Sequence, residues 1–581
     1  MSERDSASAR DSAWQVAQDA ADVLAPEVEL VADLDMASFG GSLIAVLNRA
    51  LERPARIAEA NLQLWANLAR IGPFVLARAA GADTPPPLPP GRDKRFADPA
   101  WDDNPAFAAL RQAYLAARQF SADLLAAGQG DQVSDGKAEL AAGFLLDACS
   151  PTNFLATNPA ALKRAFDTGG ISLIGGARNF LDDLMHNHGR PRQVDTRSFT
   201  LGENLAATPG KVVFSNDLME LIQYAPQTPE VHAIPMLASP PWINKYYIMD
   251  LAPGRSFIEW AIRRGHTMFA ISYRNPDESM RGVTLDDYLL AGPKAALDVI
   301  SDITGADKID ITGLCLGGAL TAMLAAYLAA TGDQRIGSVT LLNTMLDYSE
   351  PGVLGVFTDE PTVARLERQM AKKGFLEGSQ MAGAFDILRA NDLIFSYVVS
   401  SWLMGKPPPA FDILAWNADS TRMPAAMHSF YLRSLYIRNE LARGELELAG
   451  QQLSLGDVKS DSYVVGAVND HIVPWTTSYQ ATRLLGGTVR YVLSNGGHVA
   501  GIVNPPGPKA WYTVSPGAAP YPGGPGGAEQ WRAAAETRDG SWWQDWADWA
   551  GPRAGGLVTP PQLGSRRYPV LSDAPGQYVH G

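Results

Sequence analysis

From about Ala37 to Ala80, apolar residues recur three and four positions apart, as in Ile57-Ala-Glu-Ala-Asn-Leu-Gln-Leu-Trp-Ala-Asn-Leu68, and this spacing predicts helix. Gly72-Pro73 is expected to interrupt it, and Pro85-Pro-Pro-Leu-Pro-Pro-Gly91 reads as a stiff linker. Helical patterning resumes from Asn104 to about Leu184, with a break at Ser150-Pro151. Past residue 200 the pattern changes. Short apolar or β-branched runs at Val231–Ala238, His266–Tyr273, Lys308–Thr312, Ile336–Leu342, Ser462–Ala467 and Val489–Ser494 alternate with helical stretches, which predicts a parallel, doubly wound sheet. Between Leu342 and Asp461 the alternation stops. That stretch is helical and rich in aromatics, including Phe395, Tyr397, Trp402, Trp416, Phe430 and Tyr431, and it reads as a cap inserted over the sheet.

The expected fold is therefore α/β, an α/β-hydrolase fold with a helical cap insertion, preceded by a mainly α-helical N-terminal domain. Residues 1–90 are read as a flexible leader and N-terminal helices, 91–200 as the helical domain, and 201–581 as the catalytic domain with its cap at about 345–455.

Composition narrows the function classes. The net charge of −14 argues against a nucleic-acid binder, whose footprint is basic. Two cysteines, Cys149 and Cys315, make no disulfide framework, and a reducing cytoplasm is the expected setting. Met1 to Ala20 lacks the apolar stretch of a signal peptide, and no run of 18 apolar residues predicts a transmembrane helix.

The chemistry concentrates in Lys308-Ile-Asp-Ile-Thr-Gly-Leu-Cys-Leu-Gly-Gly318. A strand expected to end at Thr312 leads into Gly313-Leu-Cys-Leu-Gly317, a nucleophile elbow with sulfur in place of oxygen, and a helix is expected to open at Gly318. The helix N-terminus favours a Cys315 thiolate, and the Leu316 amide is placed to donate to an oxyanion. The partners follow in hydrolase order. Asp470 lies in the loop after the strand Ser462–Ala467, and His498 follows the strand Val489–Ser494 within Asn495-Gly-Gly-His. His498 is expected to take the Cys315 proton, while Asp470 orients His498 or helps activate an incoming hydroxyl. A thiol suits thioester exchange, which is nearly balanced in free energy, so an acyl group can be passed to an acceptor. His471 could tune the acid or simply pack in its loop. His186 and His188 lack a metal-ligand pattern around them, and no metal or cofactor is expected. Cys149 reads as a small core residue.

These motifs closely resemble the polyhydroxyalkanoate synthases, over a span from about Arg92 to Tyr578. The resemblance is carried by Arg95-Phe-Ala-Asp-Pro-Ala-Trp101, Ser150-Pro-Thr-Asn-Phe-Leu-Ala-Thr-Asn158, Pro240-Pro-Trp-Ile-Asn-Lys-Tyr-Tyr247 and Gly313–Gly318. Phe411-Asp-Ile-Leu-Ala-Trp-Asn417, Asp470-His-Ile-Val-Pro-Trp475, Gly496–Pro506 and Gly540-Ser-Trp-Trp543 complete it. It implies an acyltransferase that polymerises 3-hydroxyacyl-CoA with release of CoA, the chain held on Cys315, with His498 and Asp470 in their family roles. It also implies a mobile cap, a homodimer, and an N-terminal domain serving attachment to a polymer granule with its associated proteins. Ile243 is the candidate second oxyanion amide, Trp416 a candidate supporting residue, and bulk at Trp242 and Phe395 is expected to limit the acyl side chain. The single-subunit, short-chain class is the nearest fit. Trp542, Trp546 and Trp549 share a helical face that reads as packing on the catalytic domain, and the helical stretch near Leu64–Val75 as the granule contact or a plain core helix.

Two rival readings remain: a thiol-based thioesterase or depolymerase on the same fold, and a granule-binding protein whose site has decayed.

Overall fold

Proline and asparagine set where the first helices begin. Asn104 accepts a hydrogen bond from Ala106 N (2.9 Å) and Asn158 from Ala161 N (3.0 Å), and each is followed by a proline at the first helical position, where a missing N–H costs nothing. The computed structural model describes residues 36–91, 93–187, 189–378, 389–515 and 526–581. The leader expected to be flexible and His188 lie outside the described residues.

The described residues form two compact units: 36–195 with 389–409, and 196–378 with 410–581. The first is helical: α1 (Met36–Leu51), α2 (Pro54–Ala79), α3 (Pro105–Ala127), α4 (Gln132–Ala148), α5 (Pro159–Asp167) and α6 (Ile171–His186). Val46, Leu125, Ala138 and Ala142 form one buried cluster, and Phe96, Trp101 and Tyr114 another. The helix expected to break at Gly72-Pro73 does not. α2 runs through Pro73, with Phe74 buried beside it, because proline removes one ladder bond without removing the apolar face. The proline-rich segment is clamped from both sides by the buried Gln112, which accepts from Leu88 N (2.9 Å) and donates to Leu88 O (2.8 Å). Cys149 is exposed rather than in the core, since it ends α4 just before the Ser150-Pro151 turn. Residues 389–409, expected to belong to the cap, group instead with these helices. A Cβ on Gly176 of α6 would sit 1.9 Å from Trp402 O, and Trp402 Nε1 donates to Asp183 at 2.8 Å.

The second unit is built on an 11-stranded sheet: β1 (Gly210–Ser215), β2 (Met219–Tyr224), β3 (Met236–Ser239), β4 (Met268–Tyr273), β5 (Ile309–Leu314), β6 (Ile336–Leu342), β7 (Asp461–Ala467), β8 (Val489–Ser494), β9 (Trp511–Val514), β10 (Glu536–Asp539) and β11 (Ser572–Asp573). Their spatial order is β10-β9-β8-β7-β6-β5-β3-β4-β2-β1-β11. The six adjacent strands β8, β7, β6, β5, β3 and β4 pair in parallel, as the alternation predicts, while antiparallel strands flank them on both sides and make the whole sheet mixed. β5 is central and buried along its length. It runs to Leu314, two residues beyond the expected end, and α7 (Leu316–Thr331) opens two residues before Gly318. Helix α8 (Trp542–Ala550) buries Trp542, Trp543 and Trp546 around Phe257, and Trp546 Nε1 donates to Thr340 on β6. Trp549, the third indole of the expected face, is half-buried against Tyr463 (5.3 Å), so that face is packing on the catalytic domain.

Candidate active site

Cys315 sits between β5 and α7 with φ 54° and ψ −115°, a conformation few side chains adopt, and such strain costs about 1–3 kcal/mol. Close packing on three sides enforces it. A Cβ on Gly313 would lie 2.5 Å from Gly318 Cα, one on Gly317 would lie 2.2 Å from Ser239 O and 2.4 Å from Pro240 O, and one on Gly318 would meet Thr344 Oγ1 at 1.9 Å. Only glycine lets strand, helix and the loop after β3 approach this closely. Cys315 N donates to Leu342 O (2.8 Å), tying the elbow to β6. Leu316 occupies the first helical position, whose N–H has no acceptor within the helix.

The other two members stand on loops at the C-terminal ends of the next parallel strands, where α/β sheets gather their reactive groups. Asp470 follows β7 and His498 follows β8. His498 Nδ1 lies 2.6 Å from Asp470 Oδ2, and the Asp470 side chain is 0% exposed. The other carboxylate oxygen accepts from the Ile472 and Val473 amides, both at 2.9 Å. Asp470 is thus bonded through both oxygens and turned away from solvent.

The loop carrying His498 is held at several carbonyls. Asn343, itself at φ 41°, donates to His498 O (2.6 Å). Trp542 Nε1 and Ser494 Oγ donate to Gly501 O (2.7 and 2.9 Å), Trp543 Nε1 to Ile502 O (2.9 Å), and Ser541 Oγ to Asn504 O. These props were not legible as such, although the Gly540-Ser-Trp-Trp543 motif marked their position.

Cys315 and His498 line one cavity together with Pro241, Asn244, Ile248, Leu314, Trp416, Val499 and Ile502. Its volume is about 20 Å³, room for roughly one water. Trp416 comes from the insertion between β6 and β7, and its Nε1 donates to Lys245 O (2.8 Å). Burial lowers the Lys245 pKa, and its ammonium bonds Gly581 O (2.5 Å). Of the remaining sequence-derived residues, Leu316, Ile243 and His471 are not among those lining the cavity. Ile243 is buried and His471 half-buried. Trp242 is buried against Tyr288 and Tyr431, and Phe395 in the helical unit faces Phe144, so neither forms the cavity wall as expected; Trp416, Ile248 and Ile502 do. His186 pairs with Asp182 one helical turn away (3.0 Å). Among the described residues no group of three or more His, Cys, Asp or Glu is placed to hold a metal ion, and no helix is long and apolar enough to cross a membrane.

Two sequence-family models match the chain. One, described as "Poly-beta-hydroxybutyrate polymerase (PhaC) N-terminus", covers residues 92–261, and the alpha/beta hydrolase fold covers residues 231–505. The chain is 42% identical over 562 residues to the poly(3-hydroxyalkanoate) polymerase of Methylorubrum extorquens, spanning 96% of this chain and 92% of that one. It is 40% identical over 497 residues to the poly(3-hydroxyalkanoate) polymerase subunit of Cupriavidus necator (84% and 83%), and 42% identical over 508 residues to poly(3-hydroxyalkanoate) polymerase 2 of Ectopseudomonas oleovorans (87% and 89%). Among solved structures, an alpha/beta hydrolase fold protein from Chitinophaga pinensis is similar over 52% of this chain and 94% of its own, at 15% identity and a TM-score of 0.30.

Proposed function

This chain belongs to the poly(3-hydroxyalkanoate) polymerases, transferases that build polyester from hydroxyacyl units, and on that premise we propose that Cys315 holds the growing polymer as a thioester. The observation that carries the reading is the shared cavity of Cys315 and His498, with His498 anchored to Asp470 at 2.6 Å.

With Nδ1 committed to Asp470, Nε2 is the nitrogen that takes the Cys315 proton. The thiolate attacks the carbonyl of a 3-hydroxyacyl-CoA, the C–S bond to CoA breaks, and His498 returns the proton to the departing CoA thiolate. The hydroxyl of a second 3-hydroxyacyl-CoA then attacks the Cys315 thioester. An ester bond forms, the C–S bond to Cys315 breaks, and the hydroxyl proton passes through His498 to the freed thiolate. Cys315 recaptures the lengthened chain from its CoA thioester, again releasing CoA. Asp470 acts on both proton transfers through His498, because its oxygens are occupied and buried. The Leu316 and Ile243 amides are assigned to the developing oxyanion. No further cofactor enters this cycle. The cavity holds one water-sized group, so the wall that includes Trp416 has to move for an acyl group to enter.

Attachment at a granule surface in the cytoplasm, with granule-associated proteins and a second copy of the chain as partners, belongs to the same proposal. In its support, Phe166 on α5 and Ile171, Ile174 and Met185 on α6 are more than two-thirds exposed, as are Leu62 and Leu76 on α2. Trp65, within the stretch read as the granule contact, is 67% exposed.

The test is Cys315→Ala assayed with 3-hydroxybutyryl-CoA. Loss of both CoA release and insoluble polymer is expected, whereas retained CoA release from the folded variant sinks the reading.

A further inference from the structure

The cavity wall contains one polar side chain that the proposed cycle does not employ. Cys315 and His498 carry the chemistry, the Trp416 indole is spent on Lys245 O, and Pro241, Ile248, Leu314, Val499 and Ile502 are apolar. The remaining residue is Asn244. It is 3% exposed, and among the described residues neither Nδ2 nor Oδ1 has a hydrogen-bond partner. Its backbone is held at two points, since Asn244 follows the loop after β3 that packs on the elbow and bridges Ser420 of the insertion. A buried amide with both ends unpaired costs about 1–3 kcal/mol per group, so an interior Asn is retained at that cost only where something satisfies it.

We propose that Asn244 is the substrate-binding residue that recognises the 3-hydroxyacyl group, its Oδ1 accepting from the hydroxyl and its Nδ2 donating to an acyl oxygen of the same unit. The donor and acceptor of one carboxamide match the hydroxyl and carbonyl of a β-hydroxyacyl chain, and among the lining residues no other uncommitted group offers both. An acyl group lacking the hydroxyl leaves Oδ1 bare in a closed apolar cavity. Sites built to bond a substrate hydroxyl reject the deoxy analogue by about 10⁴–10⁵-fold. Asn244 therefore does two things: it selects hydroxyacyl over plain acyl units, and it fixes the hydroxyl near the sulfur.

The inference rests on Cys315 being the acylated residue, and the experiment separates the two. Full-length wild type, Asn244→Leu and Asn244→Ala are mixed in single turnover with 3-hydroxybutyryl-CoA or butyryl-CoA. CoA release is timed, the Cys315 adduct is read by peptide mass, and thermal melting shows that each variant is folded. In wild type the hydroxylated substrate is expected to acylate at least about 100-fold faster. In both variants that ratio should fall to within a few-fold of one, chiefly through slower reaction of 3-hydroxybutyryl-CoA. An unchanged ratio, or a parallel fall for both substrates, overturns the assignment while leaving Cys315 as nucleophile. Acylation of wild type anywhere but Cys315 overturns both.

Discussion

His498 Nδ1 meets Asp470 Oδ2 at 2.6 Å, and the carboxylate is sealed from solvent with its second oxygen on two backbone amides. In the proposed cycle Asp470 therefore sets the tautomer and tilt of the imidazole and stabilises it when protonated. Asp470→Asn should keep the fold but present the wrong hydrogen to His498. Turnover is expected to fall roughly 10³–10⁴-fold with little change in KM. A loss confined to chain elongation, with normal first acylation of Cys315, would mean instead that Asp470 serves the hydroxyl alone.

Gly317→Ala places a methyl 2.2 Å from Ser239 O and 2.4 Å from Pro240 O, both backbone atoms that cannot swing aside. The strain, of the order of 1–3 kcal/mol, can be relieved only by pushing the loop after β3 away from the elbow. We expect a lower melting temperature together with a rate loss exceeding that of a purely thermal defect. A variant with wild-type melting and turnover would contradict the packing described.

Trp543→Phe retains an aromatic ring beside Phe257, 5.5 Å away, and deletes only the donor to Ile502 O. Ile502 lies on the cavity wall, four residues beyond His498. The unpaired carbonyl should cost about 1–3 kcal/mol of stability, seen as a lower denaturant midpoint. Loosening the loop should lower kcat roughly 10-fold with KM held within about two-fold. Equal kcat in the two proteins would reduce Trp543 to packing.

Asp310 on β5 accepts from Ser338 N (2.7 Å) and Oγ (2.8 Å), and burial pushes its pKa up to about 7. In the unfolded chain the same carboxyl titrates near about 4. Between those values the unfolded state binds fewer protons, so this group lowers stability as pH rises from about 4 to 7 and adds nothing further above. Burial lowers the His266 and His428 pKa values to about 3, which works in the opposite direction, with stability lost as pH falls below about 6.5. Those histidines are common to wild type and Asp310→Asn and cancel in the difference. Melting temperature, variant minus wild type, should therefore rise from pH 4 to 7 and then level off. A pH-independent difference would refute the shifted carboxyl.

The parts of the site that could be read from the chain were those bound to local pattern. Gly313-Leu-Cys-Leu-Gly317 after a β-branched run has few structural uses, and Asp470 and His498 each follow a strand of the parallel core. The antiparallel edges escaped because β1, β9, β10 and β11 are short, half-exposed or polar, as in Glu536-Thr-Arg-Asp539. Grouping of residues 389–409 with the N-terminal helices rests on contacts some 200 positions apart in the chain, such as Trp402 with Asp183, which no periodicity encodes. Bulk alone suggested Trp242 as a pocket wall. It packs against Tyr288 and Tyr431 instead, and the smaller Asn244 two residues on lines the cavity.

The most direct measurement of the central claim is peptide mass analysis of wild type quenched during turnover of 3-hydroxybutyryl-CoA. The peptide containing Cys315 should carry a ladder of adducts spaced by one hydroxybutyryl unit, sensitive to hydroxylamine as a thioester is. An unmodified Cys315 peptide during active polymer synthesis, or the ladder on any other residue, would contradict it.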